Sequence, residues 1–207
     1  GDNTWQIAPG PAIVLAATRS AIDGRTPVDF ENFARVKFAN NAGVDRFEVS
    51  PKRLTGGVYY EVVGVDTNVP NARFVDTLVI LGSGESDGDD PANDPMVVTD
   101  LAVTLGQTIN YSQLGSLEIH GLNGDDTLQV DSSAGPVTTP LVFDGGSGSD
   151  TLQVRDAPDP NPFHEVIYAP GPAVTEGRLL YKDVNNATLM KIDFINLEPV
   201  QDNVPAA

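Results

Sequence analysis

The segment Leu117–Val130 reads LEIHGLNGDDTLQV, and it recurs without a gap as LVFDGGSGSDTLQV in Leu141–Val154. An earlier copy, VKFANNAGVDRFEV, occupies Val36–Val49 and also aligns without a gap. Each copy has an apolar-x-apolar piece, a turn rich in Gly, Asn and Asp, and a second apolar-x-apolar piece after Gly-x-Asp. Alternation with period two predicts short β-strands. Self-similarity at fixed spacings predicts a repeat architecture.

Two incomplete copies of the same segment lie elsewhere in the chain. Leu78–Val98 carries an insertion inside its turn, and Gly1–Ile7 (GDNTWQI) matches only the second half, Gly124–Val130 (GDDTLQV). Because the chain starts inside a repeat, we expect residues 1–207 to be one repeat module from a longer array. Residues 199–207 end in a Pro/Ala-rich sequence, which we expect to be a tail.

Two further echoes have a different sequence. VDFENFARV from Val28 returns as INYSQLGSL from Ile109 and as IDFINLEPV from Ile192, at nearly equal spacings. IAPGPAIV from Ile7 returns as YAPGPAVT from Tyr168. The aromatic residues at equivalent positions of the first echo are predicted to lie in the core; they are Phe30, Tyr111 and Phe194.

The alternation also predicts which side chains face inward. In the copy that starts at Leu117, the inward residues are Leu117, Ile119, Leu128 and Val130, and the outward residues are Glu118, His120, Thr127 and Gln129. One such unit cannot bury its apolar face alone, so successive copies must stack. A coil as short as the interval from Leu117 to Leu141, with about three short strands, indicates an all-β fold, a right-handed parallel β-helix or β-solenoid. The alternative is an antiparallel β-sandwich, which also has strands separated by frequent turns.

Composition excludes several classes of function. The formal net charge is −17 at pH 7, with 21 Asp and 8 Glu, whereas nucleic acids and anionic membranes require a basic surface. Cysteine is absent, which removes disulfides, thiolate metal sites and cysteine nucleophiles. No apolar stretch approaches the roughly 20 residues that span a bilayer. We therefore expect neither nucleic acid binding nor membrane insertion.

Gly145–Gln153, GGSGSDTLQ, fits the nonapeptide G-G-x-G-x-D-x-U-x, and GLNGDDTLQ from Gly121 fits with Leu122 in place of the second glycine. In these residues the chain resembles the haemolysin-type (RTX-like) calcium-binding repeats of secreted bacterial proteins. The resemblance implies export to the cell surface or beyond, a parallel β-roll, and Ca²⁺ held between stacked turns. The ligands that it implies are the carboxylates of Asp126 and Asp150 and the carbonyls of Gly121, Asn123, Gly145 and Ser147.

The chain departs from that family in having one nonapeptide per repeat, where the family has tandem nonapeptides. For Asp126 and Asp150 an alternative is therefore open, in which each carboxylate caps backbone N–H groups of a polar turn. A second candidate calcium site is the acidic segment GESDGDDPANDP, with Asp87, Asp89, Asp90 and Asp94 as ligands, because Ca²⁺ takes six to eight oxygens. The alternative for this segment is a solvated acidic loop.

Catalytic motifs are absent from the sequence. His120 and His164 are far apart, and no G-x-S-x-G, H-E-x-x-H or P-loop pattern occurs. We expect no catalytic residue and predict a structural or adhesive module of a secreted or cell-surface repeat protein, stabilised by calcium. Its expected partners are extracellular polysaccharide or other copies of the same array. The alternative is a carbohydrate-active enzyme or carbohydrate-binding module on a β-helix.

Overall fold

The structure is a computed structural model that describes residues 4–9, 17–22, 28–31, 34–39, 44–51, 54, 56–64, 74–83, 93–155, 160–197 and 200–202. For residues 4–9, 17–22, 28–31 and 200–202 the backbone alone is described. The described residues form eighteen strands and no α-helix, in keeping with alternating apolar residues and frequent Gly and Pro.

Ten strands form one sheet. In chain order they are β1 (Thr4–Pro9), β2 (Ala17–Ile22), β3 (Val28–Glu31), β5 (Arg46–Val49), β7 (Thr77–Leu81), β11 (Ser116–His120), β13 (Leu141–Asp144), β15 (Glu165–Pro170), β16 (Gly177–Lys182) and β17 (Thr188–Ile195). The order across this ten-stranded sheet is β15-β16-β17-β13-β11-β7-β5-β1-β2-β3.

The other eight strands form the second sheet. They are β4 (Arg35–Ala39), β6 (Tyr59–Val63), β8 (Pro95–Val98), β9 (Ala102–Leu105), β10 (Gln107–Ser112), β12 (Thr127–Asp131), β14 (Thr151–Arg155) and β18 (Val200–Asp202). The order across this eight-stranded sheet is β18-β14-β12-β8-β9-β10-β6-β4. β18 lies inside the segment expected to be a tail, and it pairs in parallel with β14.

Successive repeats pair in parallel and without a register shift. Leu117 lies opposite Leu141 where β11 pairs with β13, and Leu128 lies opposite Leu152 where β12 pairs with β14. This repeat therefore contains one strand in each sheet. The expectation of about three strands per repeat was wrong, because residues 132–140 connect β12 to β13 without a further strand.

The predicted inward and outward faces are confirmed. The four side chains of the Leu117 copy that were expected inside are fully buried, whereas Glu118, His120, Thr127 and Gln129 are partly exposed. Apolar residues from both sheets belong to one continuous hydrophobic core. Tyr111 and Phe194 lie in this core, as predicted; the side chain of Phe30 lies outside the described residues.

The other two sequence echoes correspond to antiparallel three-stranded meanders, namely β1–β3, β8–β10 and β15–β17. The three meanders have the same cross-strand register. Equivalent positions, from the first strand to the third, are Ile7, Ser20 and Val28, then Val98, Val103 and Ile109, then Tyr168, Leu179 and Ile192.

Within the described residues, each of the first two meanders begins a unit of seven strands. The first unit is β1–β7, the second is β8–β14, and β15–β18 begin a third. The three strands of a meander lie in one sheet, and the four strands after them alternate between the sheets, so the next meander begins in the opposite sheet. The meanders therefore lie in the ten-stranded, the eight-stranded and again the ten-stranded sheet. Val36–Val49 consequently crosses from the eight-stranded to the ten-stranded sheet, whereas its repeat Leu117–Val130 crosses in the opposite direction. The fold is all-β, with two mixed sheets that do not close on themselves.

Candidate functional site

Among the described residues, five buried aspartates each occupy the position immediately before a strand. Asp45 and Asp76 precede β5 and β7 of the ten-stranded sheet, and Asp94, Asp126 and Asp150 precede β8, β12 and β14 of the eight-stranded sheet. Burial of a carboxylate is costly unless hydrogen bonds compensate for the lost water. The partners of these side chains therefore indicate what the aspartates do.

The aspartates are linked to those of neighbouring turns. The Asp126 N–H donates to Asp150 Oδ1 at 2.8 Å, and the Asp94 N–H donates to Asp126 Oδ1 at 2.7 Å. In the turns that lead into β5 and β7 of the ten-stranded sheet, the Asp45 N–H donates to Asp76 Oδ1 at 2.9 Å. Amide-to-carboxylate bonds are stronger than bonds between neutral groups. The aspartates thus connect stacked turns at the point where each strand begins.

The residues that precede these aspartates form a second ladder in the opposite direction. The Asp125 N–H donates to Asn93 Oδ1, and the Ser149 N–H donates to Asp125 Oδ1, both at 2.9 Å. In the same turns the Ser147 hydroxyl donates to Asn123 Oδ1 at 2.7 Å. Stacked turns are therefore hydrogen-bonded through side chains in both directions along the stack.

Asp94 belongs to this system of turns. Its Oδ2 accepts the Ser83 N–H at 2.6 Å, and its Oδ1 accepts the Ser83 hydroxyl at 3.0 Å. The side chain is buried, which does not fit a solvated acidic loop at this position. Asp87, Asp89 and Asp90, the other ligands predicted in this segment, lie outside the described residues.

Glycine directly follows the strand that enters three of these turns, because a side chain there would overlap the next turn. A Cβ on Gly145 would lie 2.5 Å from Asp150 Oδ2 and even closer to the Asn196 carbonyl oxygen. A Cβ on Gly82 or Gly121 would likewise overlap the carboxylate of Asp94 or Asp126. The glycine and the aspartate of one turn are thus packed against each other.

The second glycine of the nonapeptide has a conformational role. Gly146 has φ +94°, and Leu122, which replaces this glycine in the preceding copy, has φ +78°. A left-handed backbone costs roughly 1–2 kcal/mol for a residue with a side chain. The departure from the nonapeptide pattern at Leu122 therefore introduces strain into this turn.

Three of the six groups that the resemblance implies as Ca²⁺ ligands accept a backbone amide within the protein. Oδ1 of both Asp126 and Asp150 accepts a backbone amide, and the Ser147 carbonyl accepts the Gly124 amide at 2.9 Å. The Gly121 and Gly145 carbonyl oxygens face the glycine of a neighbouring turn so closely that no Cβ would fit there. Asn123 forms a parallel bridge with Ser147.

Within the described ranges no group of three or more histidine or acidic side chains is arranged to hold a metal ion. Asp126 and Asp150 each accept a backbone N–H, which is the capping role that the sequence had left open as the alternative. Burial raises the pKa of Asp150, the Asp126 amide opposes that rise, and nearby Asp125 and Asp144 add to it.

The outward face of the ten-stranded sheet carries an ion-paired network. Arg46 donates to Glu48 Oε1 at 3.0 Å and to Glu118 Oε2 at 2.7 Å. The two ring nitrogens of His120 lie 3.7 Å from Glu118 Oε2 and Asp144 Oδ2. His120 is thus on the outer face, as predicted, with carboxylates as its charged neighbours.

Sequence reasoning missed Asp76 as a turn residue, because residues 74–76 read Phe-Val-Asp and lack the Gly-x-Asp signature. A broader signal would have found it. Gly64 and Asp76 stand in the same relation as Gly82 and Asp94, with glycine directly after one strand and aspartate directly before the next.

Comparison with protein-family models, curated proteins and solved structures finds no match for the chain. The resemblance to haemolysin-type repeats thus stays a prediction from two nonapeptides. In the described part of the chain, no helix has the length and apolar character needed to cross a membrane.

Proposed function

We propose that this chain is a non-enzymatic structural module of a secreted or cell-surface repeat protein, built as a two-sheet β-solenoid. The parallel register between successive repeats favours the solenoid over the antiparallel sandwich, because sandwiches pair their strands mainly antiparallel. The strand pairs β11–β13 and β12–β14 extend both sheets by one strand for each repeat.

The proposal is supported chiefly by the buried aspartates, whose carboxylates bind backbone amides of neighbouring turns. The turn aspartates, the residues most typical of a ligand site in this sequence, hold one turn to the next through Asp94, Asp126 and Asp150. A chain that uses its polar side chains to join repeats is suited to a spacer, and its negative charge keeps such a spacer soluble.

The rival function is a carbohydrate-active enzyme or a carbohydrate-binding module. Glycosidases need a pair of carboxylates about 5–9.5 Å apart on either side of the substrate. On the outer face of the ten-stranded sheet, Arg178 and Lys191 are paired with Asp193, and Arg46 is paired with Glu48 and Glu118. These ion pairs neutralise basic charge that an acidic polysaccharide would need on that face.

Incubation of the chain with alginates, pectins, agars and carrageenans tests the proposal. We expect no release of reducing or unsaturated ends and no retention on the same polysaccharides in affinity electrophoresis. Turnover that is abolished by a single carboxylate substitution would replace the proposal with an enzyme. Retention without turnover would replace it with a carbohydrate-binding module.

A further inference from the structure

We propose that the open edge of β15 is a docking site for a parallel strand of the Asp-polar-apolar-polar-apolar type, supplied by a further repeat. This inference rests on the proposed function, because it names the partner with which a structural module would be continuous. The occupant is a strand with the pattern of Asp45–Val49 and Asp126–Val130.

The two equivalent strands already hold such a partner. β1, the first strand of the first meander, pairs in parallel with β5, and β8, the first strand of the second, pairs in parallel with β12. In each case the partner comes four strands later in the chain and directly follows a turn aspartate. β15 is the first strand of the third meander, and within the described residues it pairs with β16 alone.

The backbone of β15 is suited to accept this strand. The Gly171 N–H donates to the Glu176 carbonyl at 2.8 Å, and alternate residues of an antiparallel strand face the same neighbour. Ala169 and Ile167 therefore face β16, whereas the N–H groups of Val166 and Tyr168 face the open edge. An unpaired strand edge is a ready template for pairing with another strand.

The side chains of β15 show the same lack of cover. Val98 and Met96 of β8 are 0 % and 1 % exposed beneath their neighbours. By meander register their equivalents in β15 are Tyr168, which is 54 % exposed, and Val166, which is partly exposed. One face of Tyr168 is covered, where its ring stacks on that of Phe194 with 6.3 Å between the ring centroids.

The meander register also predicts the pairing of the incoming strand. Leu128 lies opposite Met96 and Val130 opposite Val98 in the β8–β12 pair. An incoming copy of β12 would therefore place its leucine opposite Val166 and its valine opposite Tyr168.

A chimera tests this docking site. In the full chain, residues 200–207 are replaced by a copy of residues 117–145, so that the copy of β11 takes the place of β18. We expect amide hydrogen exchange at Val166 and Tyr168 to slow at least a hundredfold relative to the parent chain. A control chimera with serine at the copied Leu128 and Val130 positions should leave both exchange rates close to those of the parent.

A second chimera, with residues 36–64 in the same place, supplies the docking strand from a different natural sequence. Unchanged exchange at Val166 and Tyr168 in both chimeras, with the melting transition of the host intact, would overturn the docking site. The polysaccharide assays decide the proposed function independently, so an inert chain that accepts no strand would refute this inference alone.

Discussion

At the scale of single residues, Asp150 combines a side chain that is 1 % exposed with a carboxylate that accepts the Asp126 amide. Burial outweighs this hydrogen bond and raises its pKa, with Asp125 and Asp144 contributing like charge. In the unfolded chain the same carboxyl has a pKa near its ordinary value, about 3.9. The ionised form is therefore less favourable in the folded state than in the unfolded state.

The sign of the pH dependence follows from this difference. Above the raised pKa the carboxyl is ionised in both states, and the free energy of unfolding contains the full penalty. As the pH falls through the raised pKa toward about 3.9, the folded state binds the proton first, so the penalty is relieved and this group stabilises the fold. We expect Asp150→Asn, which keeps the Oδ1 acceptor, to remove this dependence.

The measurement is urea unfolding between pH 4 and pH 7 for the wild type and Asp150→Asn. The stability advantage of the variant should be largest at pH 7 and shrink as the pH approaches 4. An advantage that is constant over this range, or a variant that is less stable at pH 7, would contradict the raised pKa.

Gly145 supports a second prediction at this scale. Gly145→Ala would bring a methyl group within 2.5 Å of Asp150 Oδ2, and we expect a loss of roughly 2 kcal/mol or more in the free energy of unfolding. The matched control is Gly56→Ala, whose nearest neighbour would be Gln107 Nε2 at 3.7 Å. Denaturant unfolding of both variants checks the prediction, and equal losses would contradict it.

At the scale of elements, the turn between β11 and β12 differs from the turn between β13 and β14 at one decisive position. Leu122 has φ +78° where Gly146 has φ +94°. Leu122→Gly should relieve the strain, whereas the greater entropy of glycine in the unfolded chain offsets part of this gain. We expect a net stabilisation of about 0.5–1 kcal/mol in the free energy of unfolding.

Leu122→Ala is the control for this prediction, because alanine keeps the Cβ and hence the strain. Urea midpoints should rise for the glycine variant and stay unchanged or fall for the alanine variant. A rise for both variants would mean that the leucine side chain, rather than the backbone, causes the strain.

The same elements show how far sequence reasoning reaches. The inward and outward faces of β11 and β12 follow from alternation alone, because burial of apolar side chains decides them. The antiparallel meanders could not be predicted from the sequence, although INYSQLGSL from Ile109 and IDFINLEPV from Ile192 were recognised as repeats. Their antiparallel partners β9 and β16 have no matching echo, and period-two alternation does not distinguish parallel from antiparallel neighbours.

The turn aspartates show the corresponding limit for the site. The sequence pointed to Asp126 and Asp150, but a ligand cage and a backbone cap use the same residue types. The difference lies in which amide reaches Oδ1, and for Asp150 that amide belongs to Asp126, in the turn of the preceding repeat. The capping role depends on how the turns stack, which the sequence alone does not show.

At the scale of the whole molecule, a formal net charge of −17 over 207 residues opposes the compact state. Raising NaCl from about 10 mM to about 0.3 M shortens the Debye length from about 30 Å to about 6 Å. We expect the melting temperature to rise by several degrees over this range. Calcium and magnesium chloride at equal ionic strength should give equal shifts, because Oδ1 of both Asp126 and Asp150 already accepts a backbone amide.

The same melting experiment tests the calcium prediction that the resemblance made. A calcium shift that exceeds the magnesium shift by several degrees, reverses with EDTA and is lost in Asp150→Asn would establish a cation site at these turns.

The odd number of strands in each unit has a consequence for how such a chain can evolve. Duplication of one seven-strand unit exchanges the two sheets for everything that follows, so any surface feature downstream moves to the opposite side of the molecule. Duplication of two units restores the original side. A lineage that must keep a surface on one side would therefore gain or lose units in pairs, and a single-unit change would present that surface in the reverse direction.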